Sequence, residues 1–316
     1  VRELLADPDP EVAREAIRAA GSLRTPALID PLIHGLGRRG VRDEARRALI
    51  GFGSLGLARL ADVLGDPAFP QAVRSQVPRT IALSGAPQAP GLLLSRLRDE
   101  SDGLVRFNVL RALGRWRKEQ PAFPLDRSLL NEALTQAVST SFRMMRWRHV
   151  LEDGARANPM RDTELHRVLV ALLRDKQDHA LERAFRLLNL EAGTDEYRRV
   201  YRGLHSPLPQ TRAGSRELLA HMVVPQLRGP MFVLVEDLHG ESGEASTDPT
   251  PPPSYAEVLA EIVGCGMESA SSIAAVHAAE LGLAEVAEAL GRAVPVSEEH
   301  ADTLGRALRR LTGEAA

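Results

Sequence analysis

The sequence predicts an all-α chain in which antiparallel helix pairs stack one upon the next into a curved solenoid with an irregular middle. Three observations predict it. A helical template returns at a near-constant interval, and each copy follows a second apolar helix. Aromatic residues supply only 4% of the chain, so Leu, Ala and Val must fill its interior. That composition suits closely stacked helices better than a strand-rich sandwich.

The template is a valine, usually an arginine next, then small or apolar residues four, seven and eight positions after the valine. It reads VAREAIRAAG at 12–21, VRDEARRALI at 41–50, VRSQVPRTIA at 73–82 and VRFNVLRALG at 105–114. The valines at 12, 41, 73 and 105 are therefore 29, 32 and 32 residues apart. Offsets of zero, four, seven and eight share one helix face. Ala16, Ala19 and Ala20 in the first copy, with Ala45 and Ala48 in the second, leave that face flat enough for a neighbour to approach closely.

The preceding helices are clearest in TPALIDPLIHGLG (25–37), GLARLADVLGD (56–66) and APGLLLSRLRDE (89–100). Breakers separate the elements at Asp7-Pro8-Asp9-Pro10, Asp66-Pro67, Gly85 and Asp102-Gly103. An aspartate just before the second helix of a pair caps its free N–H groups and favours its dipole. One such hairpin cannot bury its apolar face alone, whereas stacked neighbours can.

Regular repeats cover 1–121, and the period lapses over 122–207. There a helix over 124–153 capped by Asp126, a Gly/Asn/Pro break at 154–159, a long helix over 163–190 and a shorter one over 195–204 are expected. A repeat-like unit returns over 208–238, where Thr211, Ser215, Leu218 and Leu219 take the template offsets. Residues 239–253, HGESGEASTDPTPPP, lack apolar anchors and predict a flexible surface loop. A last repeat-like region, 254–316, opens with a capping box of Ser254 and Glu257 and ends in a helix beginning at Ser297.

The paired helices, Asp-Pro turns and Val-Arg second helices resemble bacterial HEAT repeats in a compact form. A closer resemblance rests on LERAFRLLNL (181–190), YRRVYRGLHS (197–206) and TRAGSRELL (211–219). In this order, with repeats on either side, they are similar to the soluble region that follows the membrane bundle in bacterial ATP/ADP-translocase-like transporters of major-facilitator type. The similarity spans nearly the whole chain, but its motifs are helix-packing patterns. It implies a cytoplasmic appendage of a membrane protein that senses or recruits a protein partner. Transport residues of that family belong to the membrane bundle, and none carries over to this chain.

Bulk composition narrows the classes further. A net charge of −2 gives no global attraction to nucleic acid or to a membrane surface. Lysine occurs only at Lys118 and Lys176, so basic charge is almost all arginine. The single cysteine, Cys265, excludes an internal disulfide framework and a cysteine-based zinc cluster. The longest apolar stretch, 223–235, is interrupted by Arg228 and two prolines and falls short of a bilayer span. The opening at Val1, in mid-pattern and without a signal sequence, reads as a piece of a longer protein in a reducing compartment.

Two groups mix cations with indole rings and are the candidate ligand- or partner-binding residues. The first is Arg106, Arg111, Arg115 and Trp116; the second is Arg143, Arg146, Trp147 and Arg148. Such sets can hold a base by stacking and a backbone by charge, which makes nucleic-acid binding the alternative to a protein-interaction module. Their ordinary reading is helix-end cations and core tryptophans. Arg42, Arg74, Arg106 and Arg212 share one template position and read as structural pairs between turns rather than a phosphate ladder.

No catalytic residue, metal or cofactor is expected. The nine histidines show no metal-binding spacing, and no His-Glu dipeptide occurs, unlike the HEAT-like iron hydroxylases. No phosphate loop or nucleophile elbow is present.

Overall fold

The computed structural model describes residues 1–100, 102–121, 125–238, 240 and 253–313, the side chains at 98, 99 and 238 excepted. The loop expected over 239–253 lies almost wholly outside the described residues. Those described form α-helices and short 3-10 turns, with no strand among them. No helix among them is long and apolar enough to cross a membrane.

The chain divides into two compact units, Val1–Gln136 with Phe185–Arg199, and Ala137–Ala184 with Val200–Ala316. Unit 1 begins with α1 (Pro10–Leu23), α2 (Ile29–Gly35), α3 (Arg42–Gly51) and α4 (Ser54–Gly65). Then come the single turn α5 (Gln71–Arg74), α6 (Val77–Leu83), α7 (Ala89–Asp99) and α8 (Gly103–Glu119). Asp9 caps α1 by accepting from the Glu11 N–H, and Asp102 caps α8 by accepting from Leu104 and Val105.

Packing follows the template. The second helices touch in succession, α1 with α3, α3 with α6 and α6 with α8, while α2 meets α4 and α4 meets α7. Val41, Ala45, Ala48 and Leu49 on α3 and its cap are buried, as are Val73, Val77, Thr80 and Ile81, and Val105, Val109, Ala112 and Leu113. Small residues set the spacing: a methyl added to Gly21 would stand 3.1 Å from Ala48 Cβ.

Three expectations about the template change. The third template copy is not one helix but α5 and α6, parted at Ser75–Gln76. Pro78 lacks an N–H and its ring would press on the carbonyl four residues back, so the helix restarts there. In the first copy Val12 is 38% exposed and Ala19 is exposed, because α1 packs on α3 and the turn Leu4–Ala6 through Ala13, Ala16, Ile17 and Ala20 instead. In the unit near 211, Ser215 and Leu219 are buried while Thr211 and Leu218 face outward.

Helix α9 (Arg127–Ala157) begins in unit 1, where Asp126 accepts from the Ser128 and Leu129 N–H groups. It passes through Gly154, so the expected break at 154–159 moves to Asn158, whose backbone is extended before Pro159. Helix α10 (Glu164–Ala192) ends in unit 1, to which Phe185, Leu187, Leu188 and Leu190 bring buried side chains. The Arg186 guanidinium lies 4.8 Å from the Phe107 ring centre, and Lys118 reaches Asp195 at 2.6 Å.

Unit 2 holds the rest of those two long helices. To them it adds α11 (Glu196–Leu204, from Val200 onward), α12 (Pro209–Met222), α13 (Pro225–Leu238), α14 (Tyr255–Val263), α15 (Glu268–Leu281), α16 (Ala287–Arg292) and α17 (Glu298–Thr312). The capping box of Ser254 and Glu257 opens α14, and Ser297 caps α17 by accepting from the His300 N–H. Met144, Trp147 and Leu151 of α9 and Leu169 and Leu173 of α10 share one apolar cluster with α14, α15 and α17.

Candidate functional site

The arginines that share the second template position, Arg42, Arg74, Arg106 and Arg212, tie turns together. Arg42 Nε donates to the Leu36 carbonyl at 2.7 Å, and Arg212 Nη1 donates to the Ser206 carbonyl at 3.0 Å. Arg74 Nη2 donates to the Leu64 carbonyl at 3.2 Å and to Glu100 at 2.6 Å. Arg106 donates to the Glu100 carbonyl, and burial pulls its pKa down. Arg42, Arg74 and Arg106 thus close the carbonyl end of the previous helix, where N–H partners run out, and Arg212 ties the loop before its own helix. Arg106 belongs to this set rather than to an open site.

Arg111, Arg115 and Trp116, by contrast, share a cleft of about 180 Å³ in unit 1 with Arg79. Gln76 and Asn108 contribute amides, and Ala82, Leu83 and Ala112 contribute apolar surface. Arg79, Arg111 and Arg115 are exposed, and among the described residues none is ion-paired to a carboxylate. One carboxylate, Glu119, lines the same cleft. Trp116 is only 2% exposed, so its indole closes the cleft without offering a ring face to solvent. The buried Arg46 guanidinium donates weakly to Gln76 at 3.5 Å; its pKa is lowered by burial and, next, by the charge of Arg79.

A repeat signal lies behind this cleft. Six positions after each template valine stands an arginine: Arg18, Arg47, Arg79 and Arg111. Three positions after each valine stand Glu15, Glu44, Gln76 and Asn108. Residues three apart on a helix face each other. Arg18 accordingly pairs with Glu15, and Arg47 with Glu44 at 3.0 Å. In the next two copies an amide replaces the acid, and the arginine is left facing the cleft. This pattern lies at offsets three and six, outside the valine–arginine position, and is visible in the sequence once the copies are set in register.

The second Arg/Trp group lies in unit 2 and is internally satisfied. Trp147, 2% exposed, donates its indole N–H to Glu261 at 2.6 Å, and Arg146 contacts both oxygens of that carboxylate at 2.9 Å. The Arg143 guanidinium covers the Trp147 ring at 5.4 Å. Arg148 pairs with Glu152 at 3.0 Å and Asp237 at 2.5 Å, and Gln177 donates to Asp237 at 2.6 Å. Burial pushes the Asp237 carboxyl up, but hydrogen bonds from His149, Arg148 and Gln177 outweigh it and hold the group ionised. These residues knit helices of unit 2 together.

Unit 2 also contains a buried chain of polar groups that sequence reading misses. His166 Nδ1 stands 3.0 Å from the Tyr255 hydroxyl, which is 2.7 Å from His277 Nε2. His277 Nδ1 in turn lies 3.3 Å from Glu280, which accepts from Thr163 at 2.9 Å. One proton per link satisfies the series: His166 donates to Tyr255, Tyr255 to His277, and His277 to Glu280. Both imidazoles are then neutral, in line with burial pulling their pKa values down and pushing that of Tyr255 up. Among the described residues no group of three His, Cys, Asp or Glu side chains is arranged for a metal ion. Cys265 is half-buried against the same apolar cluster, and burial raises its pKa.

No family model matches the chain, and no curated protein matches it.

Proposed function

We propose that this chain is a non-catalytic helical-repeat module, a curved solenoid of compact HEAT type, that binds a partner polypeptide. The observation that supports it most is the cleft of Arg79, Arg111 and Arg115, set between α6 and α8. These are second helices of their pairs, the side that the repeat reading makes concave, and extended concave faces are what such stacks offer partners. At about 180 Å³ the cleft is smaller than the roughly 300–1,000 Å³ of small-molecule sites. It suits side chains projecting from a larger partner.

The resemblance to transporter-linked HEAT regions supplies a context, namely a cytoplasmic segment covalently continuous with a membrane bundle. Under that reading the cleft recruits or senses a protein and takes no part in transport. Nucleic-acid binding remains the second reading because the cleft is cationic. It loses the Arg146, Trp147 and Arg148 group, which is already bonded within unit 2.

The test is selection of a displayed random-peptide library on the purified chain, followed by hydrogen exchange of the complex. Selected peptides should slow exchange in α6 and α8. Failure to enrich any peptide, protection confined to other helices, or nucleotide hydrolysis by the purified chain would overturn the proposal. Steeply salt-dependent binding of labelled DNA, with no peptide enriched, would transfer the cleft to the second reading.

A further inference from the structure

We infer that the cleft between α6 and α8 recognises an acidic helical segment of the partner, with carboxylates one turn apart seated on Arg111 and Arg115 and a third anion position at Arg79. The inference rests on the peptide-binding reading and adds the chemistry of what is bound.

The replaced acids leave the charge. In α1 and α3 the arginine six places after the valine is neutralised by a glutamate on its own helix. At the start of α6 and within α8 the corresponding residue is Gln76 or Asn108, so the same scaffold position carries unbalanced charge. Arg115 adds a further guanidinium one turn along α8, and among the residues lining the cleft the one carboxylate is Glu119, four residues beyond Arg115 and not ion-paired to it. A surface arginine usually finds a partner three or four residues away at little cost. Here the local partner is missing at successive copies, on faces that pack side by side.

The shape of the charge specifies the ligand. Arg111 and Arg115 are four residues apart on one helix, which is about 6 Å along its axis. Two acids four apart on a partner helix have the same separation. A guanidinium offers a carboxylate two parallel N–H donors, a better match than an ammonium could give. The Gln76 and Asn108 amides can donate or accept beside them. Leu83, 48% exposed, gives an apolar contact next to the charges. An apolar side chain on the same face of the acidic helix would cover it, a feature that a free phosphate or a nucleic-acid backbone lacks.

The experiment uses the whole chain and a fluorescent synthetic helix with Glu at two positions four apart and Leu between them on the same face. Its Gln counterpart, inorganic phosphate as competitor and a single-stranded DNA oligomer complete the set. Anisotropy at low salt should show the Glu peptide binding about tenfold or more tightly than the Gln peptide, a difference of ~1.4 kcal/mol. Arg111→Glu should remove that preference. Asn108→Glu should also remove it, and because it restores the acid–arginine spacing of α1 and α3 it should leave the fold intact by circular dichroism. Arg18→Glu on α1 should change nothing.

Equal binding of the Glu and Gln peptides, full binding by Asn108→Glu, or no binding by the wild type would overturn the inference. Displacement by inorganic phosphate, or tighter binding of DNA than of the Glu peptide, would overturn it in favour of a phosphate ligand. Library peptides that protect α6 and α8 yet lack acidic residues would sink this inference alone and leave the peptide-binding reading standing.

Discussion

Trp147 donates its indole N–H to the carboxylate of Glu261 at 2.6 Å, from a ring that is 2% exposed. The acceptor lies 114 residues further along the chain, on α14. Removing it strands a buried donor, which costs about 1–3 kcal/mol. Glu261→Ala should lower the urea midpoint of unfolding accordingly, whereas Arg146→Ala, which deletes only an exposed pair on the same carboxylate, should cost less than about 1 kcal/mol. Equal losses in the two variants would show that the indole bond contributes nothing beyond the ion pair.

Arg74 and Glu100 form a buried pair, at 5% and 2% exposure, and Arg74 also closes the end of α4 through the Leu64 carbonyl. Breaking such a pair from one side costs about 3–5 kcal/mol where the remaining charge is uncompensated; Glu100 keeps Arg96 at 3.6 Å and the Asp102 N–H at 2.9 Å, which places the cost at the low end of that range. Arg74→Ala should therefore be among the most destabilising single changes in unit 1. Arg42→Ala, whose guanidinium bonds carbonyls alone and is part-buried, should cost less. Chemical denaturation of the two variants ranks them, and the opposite order would refute this account of the turn arginines.

Gly114 and Gly154 should respond to alanine in opposite directions. Both lie inside helices, where alanine is favoured by about 1 kcal/mol. A methyl at Gly114 meets nothing within 4 Å, so Gly114→Ala should raise stability by up to that amount. A methyl at Gly154 would collide with the Tyr255 ring. That ring cannot step aside, because its hydroxyl is held by His166 and His277 and Arg161 covers its face at 4.5 Å. Gly154→Ala should lower stability by about 1–3 kcal/mol. Thermal melts of the pair test both signs.

Acid should weaken unit 2 through the same tyrosine. The folded pKa values of His166 and His277 lie below the unfolded value of about 6.5. Their contribution is complete above that value and is lost as pH falls below it toward the lower folded values, since the unfolded chain takes up protons first. Burial dominates for both. The charges of His277 and Arg167 add to the lowering at His166, which Asp162 and Glu152 oppose; Glu280 opposes it at His277. His205 works in the other sense: its hydrogen bond to Asp178 raises its pKa, so its contribution is lost as pH rises. Urea midpoints at mildly acidic and neutral pH should favour neutral for the wild type, and His277→Gln should flatten the difference. An unchanged slope in that variant would dismiss the histidine account.

The stacking face was legible in the sequence because it depends on local properties, helix period and side-chain size. Val41, Ala45, Val73, Val105 and Val109 are buried where the template puts them. The turn arginines were legible for the same reason. Gly154 was not, because the helix continues through it to meet Tyr255, a hundred residues on. The cleft was half legible: Arg111, Arg115 and Trp116 stand close together in sequence, while Arg79 joins them only because α6 packs on α8. What makes those arginines available, amides in place of glutamates, is visible only when the copies are set in register. The closed bonding of Arg146, Trp147 and Arg148 depends on Glu261 and Asp237, which no local pattern announces.

The chain path itself has a consequence for synthesis. A nascent polypeptide that has emerged as far as residue 136 still lacks Phe185, Leu187, Leu188 and Leu190, which belong to the first unit. Completion must wait until the ribosome has made residue 199, by which time the opening stretch of the second unit has emerged as well. No single cut therefore leaves both bodies whole, and gene fusions or deletions that respect only linear boundaries would leave one of them without part of its own interior.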